Sequence, residues 1–122
     1  MAGYSTPVKI LLLNTVIAQG AWISMHTDDP LATGINEVSG SPYARVQTTW
    51  GTPAGTDQAP ATVTGTTPVV ISIPANTTIT HWGLWSAQTG GSWVTGWILP
   101  KPAIYTSTSG IYTITPVLSQ AG

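Results

Sequence analysis

The chain contains no cysteine. That excludes disulfides, thiolate metal sites and a catalytic thiol, and it leaves the redox compartment unread. Charge is almost as scarce: charged residues are 6% of the 122 positions, against roughly 25% in an average soluble domain. Three basic residues cannot build a phosphate-binding patch, so nucleic acid is excluded as a partner. Long apolar runs are missing too. "KILLLNTVIAQGA" places a lysine before an apolar stretch and a small-x-small sequence, which resembles a short secretory signal. It is far too short to span a bilayer and reads as part of the fold, with no membrane insertion.

What is present must therefore cover the surface with Thr, Ser, Gly, Asn and Gln. A surface of that kind with a net charge of −1 favours association, so the chain is expected to work inside an assembly. Its length suits one domain, residues 1–122, with a core of useful size.

"YSTPVKILLLNTVIAQGAW" carries the punctuation of one N-terminal helix, about residues 6–19. Ser5 or Thr6 can cap the first amides. Pro7 falls at the first helical position, and Gly20 stands where a left-handed C-terminal residue is wanted. Val8, Leu11, Leu12 and Thr15 share a face, but Ile10, Leu13 and Ile17 lie elsewhere. A helix so apolar all round is expected to be buried on more than one side, in part against another chain. From about residue 21 the pattern changes to short alternating runs: "AWISMHT", "ARVQTTW", "TPVVISIP", "TTITHWGLWSA", "SWVTGWIL" and "GIYTITPVL". Gln88-Thr89-Gly90-Gly91 marks a hairpin. Pro116 makes the last run an edge or ends it. "GTPAGTDQAPATVTGTTP" reads as a long crossing loop or an extended edge. The fold expected is mainly β: an antiparallel sandwich or open barrel of six or so strands with one N-terminal helix.

Four of the six tryptophans fall in the predicted hairpin. On regular strands Trp82 and Trp85 face opposite sides, whereas Trp93 and Trp97 share one. At least one of the four is expected to be exposed in the isolated chain and buried by a partner. A core role, a subunit interface and a platform for host-surface glycan all remain open for them. Nucleic-acid stacking lacks its electrostatic groove.

"WISMHTDDPLATGINEVSGSPYAR", residues 22–45, holds three of the four acids, one of the two histidines and one of the three basic residues. The residues available for chemistry are His26, His81, Asp28, Asp29, Glu37, Asp57 and nearby hydroxyls. None of the G-x-S-x-G, H-E-x-x-H and EF-hand patterns occurs, so no catalytic residue, metal or cofactor is expected. Both histidines are expected to be neutral and hydrogen-bonded. Asp28-Asp29-Pro30 starts a turn, and Glu37 with Arg45 supplies opposite charges to clasp an ordered loop.

The same segment is similar to one found in small phage virion proteins of the tail or tail-fibre type. The matching series is Asp29-Pro30, Thr33-Gly34, Asn36-Glu37-Val38, Gly40 and Tyr43-Ala44-Arg45. A second motif, Thr80-His81-Trp82-Gly83-Leu84-Trp85-Ser86-Ala87 with Gly90-Gly91, resembles the family's later segment. The resemblance implies a non-enzymatic virion structural protein, made in the bacterial host cytoplasm and built with other virion subunits as a homo-oligomer or multi-copy assembly. It implies a tail or tail-tip position, ahead of a capsid decoration (cement) role. The extra tryptophans of the hairpin depart from the family pattern.

Overall fold

The computed structural model describes residues 3–56 and 59–120. Among them, one helix precedes eight strands: α1 (Thr6–Gln19), β1 (Trp22–His26), β2 (Val46–Gln47), β3 (Ala61–Thr64), β4 (Val69–Ile73), β5 (Thr77–Trp85), β6 (Trp93–Tyr105), β7 (Gly110–Ile114) and β8 (Val117–Gln120). The pairings are antiparallel. They form a sheet in the order β2-β1-β5-β6 and two ribbons, β3-β8 and β4-β7. The fold is thus mainly β with one N-terminal helix, and no barrel closes.

The helix starts at Thr6, one residue ahead of the expected Pro7; Pro7 still lies in the first turn, where a missing N–H is harmless, and the first bond runs from the Lys9 amide to the Ser5 carbonyl at 2.9 Å. The Ser5 side chain does not cap it. The buried stripe is not the Val8, Leu11, Leu12, Thr15 set. Lys9 and Leu13 are buried, Ile10, Val16 and Ile17 pack on the core, and the helix lies on β3 and β8. Lys9 covers apolar surface with its stem and donates Nζ to the Ala59 carbonyl at 3.3 Å. Leu11, at 63% exposure, faces outward, so within this chain the helix buries one side only.

Gly20 is not left-handed. Its φ is 180°, ordinary extended backbone. Glycine is needed there for space: a Cβ would run into the Trp85 carbonyl. The helix end is tied in further by Trp50, whose indole N–H donates to the Gly20 carbonyl at 3.0 Å.

Register assigns the two faces of the sheet. Ile23 pairs with Leu84 and Met25 with Trp82, and these four join Val63, Ile71, Ile73, Ile79 and Leu118 in one buried cluster. Trp22, Ser24 and His26 point the other way, opposite Trp85, Gly83 and His81. The predicted hairpin between β5 and β6 has an irregularity at Leu84/Trp85, where the partners pass from Thr95 to Trp93 and skip Val94. One extra residue flips the alternation. Trp93 and Trp97 therefore do not share a side. Trp97 stacks on Trp82 with centroids 5.6 Å apart, while Trp93 meets Trp85 edge-on at 5.2 Å. A second irregularity sets Thr80 against the four residues 99–102, so β6 arches outward at Pro100-Lys101-Pro102 and continues to Tyr105, past the Leu99 end expected for that run.

The long Thr-Pro stretch, expected as loop or edge, supplies β3, which pairs with β8. Pro116 ends one strand and Val117 starts another. Alternation in "ARVQTTW" gives only the two-residue β2, and the Thr48 amide, next in the same register, bonds the Ala21 carbonyl at 2.8 Å.

Replacing Gly20 by Ala should cost about 2 kcal/mol or more, as overpacking against backbone does. Gly40→Ala, where a Cβ meets nothing within 4 Å, should cost only the left-handed strain of roughly 1–2 kcal/mol. Urea unfolding midpoints compare the two directly.

Candidate functional site

The second face of the sheet is covered by the chain's own polar loop, residues 27–45. The loop begins with side chains bonding backbone: Asp28 Oδ1 accepts from the Asp29 amide and Asp29 Oδ1 from the Leu31 amide, both at 2.8 Å. Left-handed residues then reverse it, among them Gly34 at φ 78°. It returns beside β1, with the Thr27 amide on the Asn36 carbonyl and the Val38 amide on the Met25 carbonyl, each at 2.9 Å. This return puts Glu37 opposite His26.

Glycines let the loop close on the tryptophans. A Cβ on Gly34 would stand 2.6 Å from the rings of both Trp85 and Trp93. A Cβ on Gly83 would meet the Trp93 ring, and one on Gly96 would meet Trp93 and Pro30. The indole of Trp93 thus fills the room that two glycines leave on adjacent strands.

Arg45 joins the parts. Its Nε and Nη2 donate to the two oxygens of Glu37 at 2.8 Å each. Its Nη1 donates to the Ala87 and Gly90 carbonyls at 2.9 and 2.8 Å. The guanidinium carbon lies 3.8 Å over the Trp85 ring, a cation–π contact in a desolvated place. Tyr43 completes the group by donating its phenol to Glu37 at 2.6 Å, while the Met25 amide donates to the phenol oxygen at 3.2 Å. Burial alone would raise the Glu37 carboxyl, but the bonds from Arg45 and Tyr43 outweigh it and hold the group below its usual range. Burial first, and then the bond to Glu37, push the Tyr43 phenol far up.

A directed chain of hydrogen bonds runs alongside. Trp85 Nε1 lies 3.0 Å from Ser24 Oγ, Ser24 Oγ 2.8 Å from His26 Nε2, and His26 Nδ1 2.8 Å from the Ile35 carbonyl. An indole N–H only donates and a carbonyl only accepts. A proton therefore sits on Nδ1, and in the neutral imidazole Nε2 accepts from the Ser24 hydroxyl. Desolvation lowers its pKa, against weaker raising effects from the Ile35 carbonyl and the Glu37 charge. Trp93 packs edge-on against the same ring at 5.3 Å.

The structure brings Glu37 and Arg45 together and leaves Asp28 and Asp29 out of their pair, on the exposed turn. His81 stands opposite His26 in the β1–β5 register but outside this set of hydrogen bonds, with Nδ1 2.7 Å from Thr80 Oγ1. Asp57 lies outside the described residues. Ser24 beside His26 looks like half of a nucleophilic triad, but its hydroxyl is fully buried and no carboxylate orients the ring. Among the described residues no three of His, Asp and Glu gather as metal ligands. Of the four hairpin tryptophans, Trp82 is 5% exposed and Trp97 is 38% exposed; Trp85 and Trp93 are half-buried under the loop. Tyr43, Ser24 and the Ala87 and Gly90 carbonyls went unpredicted. For Tyr43 the signal was its place two residues before Arg45, where strand alternation would set both side chains on one side.

A family model described as Podophage GP4 fiber I protein gp80 matches residues 10–113 of the chain. No curated protein sequence matches it.

Removing Arg45 leaves a part-buried carboxylate and two carbonyls without their donor. Arg45→Ala should therefore destabilise by about 3–5 kcal/mol, read from urea unfolding. Acid should act in two windows. His26 has a lowered folded pKa, so the unfolded state binds the proton first and stability falls as pH drops below roughly 6.5. Glu37 is also lowered, so its contribution is present above roughly 4.3 and is lost as pH falls through the folded value. A His26→Gln variant should lack the first fall and keep the second.

Proposed function

The chain belongs to the family of the podophage GP4 fiber I protein gp80, and from that membership we propose that it is a non-enzymatic structural subunit of a phage tail fibre. The family match over residues 10–113 is the observation that carries this reading. The subunit is one domain over residues 1–122, made in the host cytoplasm and present in the virion in several copies among other virion proteins. The chemistry of the loop supports the same role. Arg45, Glu37, Tyr43 and His26 spend their hydrogen bonds on one another, on Ser24 and on backbone, which makes a clasp and leaves no free acid or base at the site.

A second reading has one observation behind it. Trp97 is held flat against Trp82 with its outer side partly open, and an indole so fixed is a stacking surface for a neutral sugar ring. Host-surface glycan would then be a ligand as well as the fibre a scaffold. Titrating the protein with host cell-wall polysaccharide and following tryptophan fluorescence decides this: a saturable shift lost in Trp97→Ala supports it.

The structural role is tested on purified particles. Quantitative mass spectrometry should find several copies of the chain per particle, and imaging of particles with a tagged chain should place the tag at the tail. A chain absent from particles, or seated on the capsid shell, would overturn the proposal.

A further inference from the structure

The fold is open along one seam. β6 is 13 residues long and pairs with β5 on one side only. β7 and β8 pair only with β4 and β3. Between β6 and these two strands runs a groove of about 440 Å³, whose sides include Trp97 and Ile98 on one strand and Tyr112, Val117 and Ser119 on the others. Across it the strands stay more than 8 Å apart, Cα to Cα, along almost their whole length. Apart from the β5 ladder, no backbone hydrogen bond is made by residues 93–105 among the described residues. The outward N–H and C=O groups of that edge thus have no backbone partner; Trp97 and Ile98 border the groove, while Val94 and Thr95 line a smaller cavity with Leu13, Val16 and Leu118.

A long edge of this kind with apolar side chains is a template for another strand. Trp97, Ile98 and Ile104 are 38%, 70% and 70% exposed. Natural proteins guard such edges with proline and lysine, and β6 does so over Pro100-Lys101-Pro102. The stretch Trp93–Ile98 has no such guard. Its lack of charge matters as well. Lys101 is the one charged residue of β6, so two antiparallel copies centred near Gly96 would keep their lysines about ten residues apart, roughly 33 Å along the strand.

Resting on the reading of a multi-copy subunit, we propose that the Trp93–Ile98 edge pairs antiparallel with the same edge of a second copy across a two-fold axis. A strand paired with itself presents matching donors and acceptors without needing a second sequence. A ladder of backbone groups can be satisfied by polypeptide and not by sugar, which favours a protein occupant over a glycan. The pairing would join two four-stranded sheets into one and cover Trp97 and Ile98.

The test uses the full chain at micromolar concentration, by sedimentation and by amide hydrogen exchange. Ile98→Lys is the variant, because that side chain is mostly in solvent and its replacement spares the core. The expected result is an even-numbered assembly whose β6 amides facing away from β5 are protected. In Ile98→Lys, association should weaken about tenfold or more and those amides should exchange freely. An assembly unmoved by the variant, or one of three copies, overturns the β6 site and leaves the multi-copy reading standing. A monomer overturns the site, and copy number in the particle then judges the broader reading. A monomer whose Trp97 fluorescence shifts with neutral oligosaccharide makes the groove a sugar site instead.

Discussion

The fold's second layer depends on one guanidinium. Arg45 is 9% exposed and touches three separate parts of the chain: Glu37 in the loop, the Ala87 and Gly90 carbonyls in the β5–β6 turn, and the Trp85 ring on the sheet. Neither a lysine nor a neutral amide could hold all of these at once, because only a planar cationic fork presents parallel donors to a carboxylate while its face rests on an indole. The cost of burying that charge is offset by a bidentate partner and two carbonyls. The same arrangement makes the pair fragile to loss of either member, since what remains is an uncompensated charge. Stability here comes from completeness of a small polar network more than from any single bond.

Around that point the chain trades glycine for tryptophan. Gly34, Gly83 and Gly96 lie under or beside the rings of Trp85 and Trp93. Each missing Cβ lets a large ring settle close to backbone, and each ring in turn excludes water from the Trp85–Ser24–His26 chain. Packing and hydrogen bonding thus support each other. The rings keep the network dry, and the network fixes the angle of the Trp85 ring, which carries the guanidinium.

The sequence announces some of this and conceals the rest for identifiable reasons. Pro7 just after Ser5-Thr6, with Gly20 at the far end, marks α1, and alternation marks β1, β4 and β7. Opposite charges eight residues apart suggest a clasp between Glu37 and Arg45. The side assignment of Trp93 is not legible, because it turns on Val94 being skipped in the register, and nothing in a run of alternating residues says which one will bulge. The burial of Lys9 is hidden for a related reason: the helix has no clear apolar side, so the face that packs is chosen by β3 and β8. Gly20 reads as a helix terminator, yet its smallness answers to Trp85, sixty-five residues away. The polar loop reads as an ordered loop clasped on itself, and its docking on the sheet is not legible. It is a lid because His26 and Trp85 offer it partners that only the folded sheet assembles.

That internal use of charge also decides what the outside looks like. Of the six described charged side chains, Lys9 and Arg45 are buried and Glu37 is half-buried, which leaves Asp28, Asp29 and Lys101 in solvent. Long-range attraction between copies has almost nothing to act on. Association would depend on apolar burial and backbone pairing, both short-ranged and weakly screened, so it would vary little between about 0.05 and 0.5 M salt, where the Debye length shrinks severalfold. On-rates would sit in the ordinary range of unsteered encounters, about 10⁵–10⁶ M⁻¹s⁻¹. For a fibre protein exposed to water of any ionic strength, a contact that ignores salt would be a physical advantage, and it would follow from confining half of the described charges to a clasp and a core.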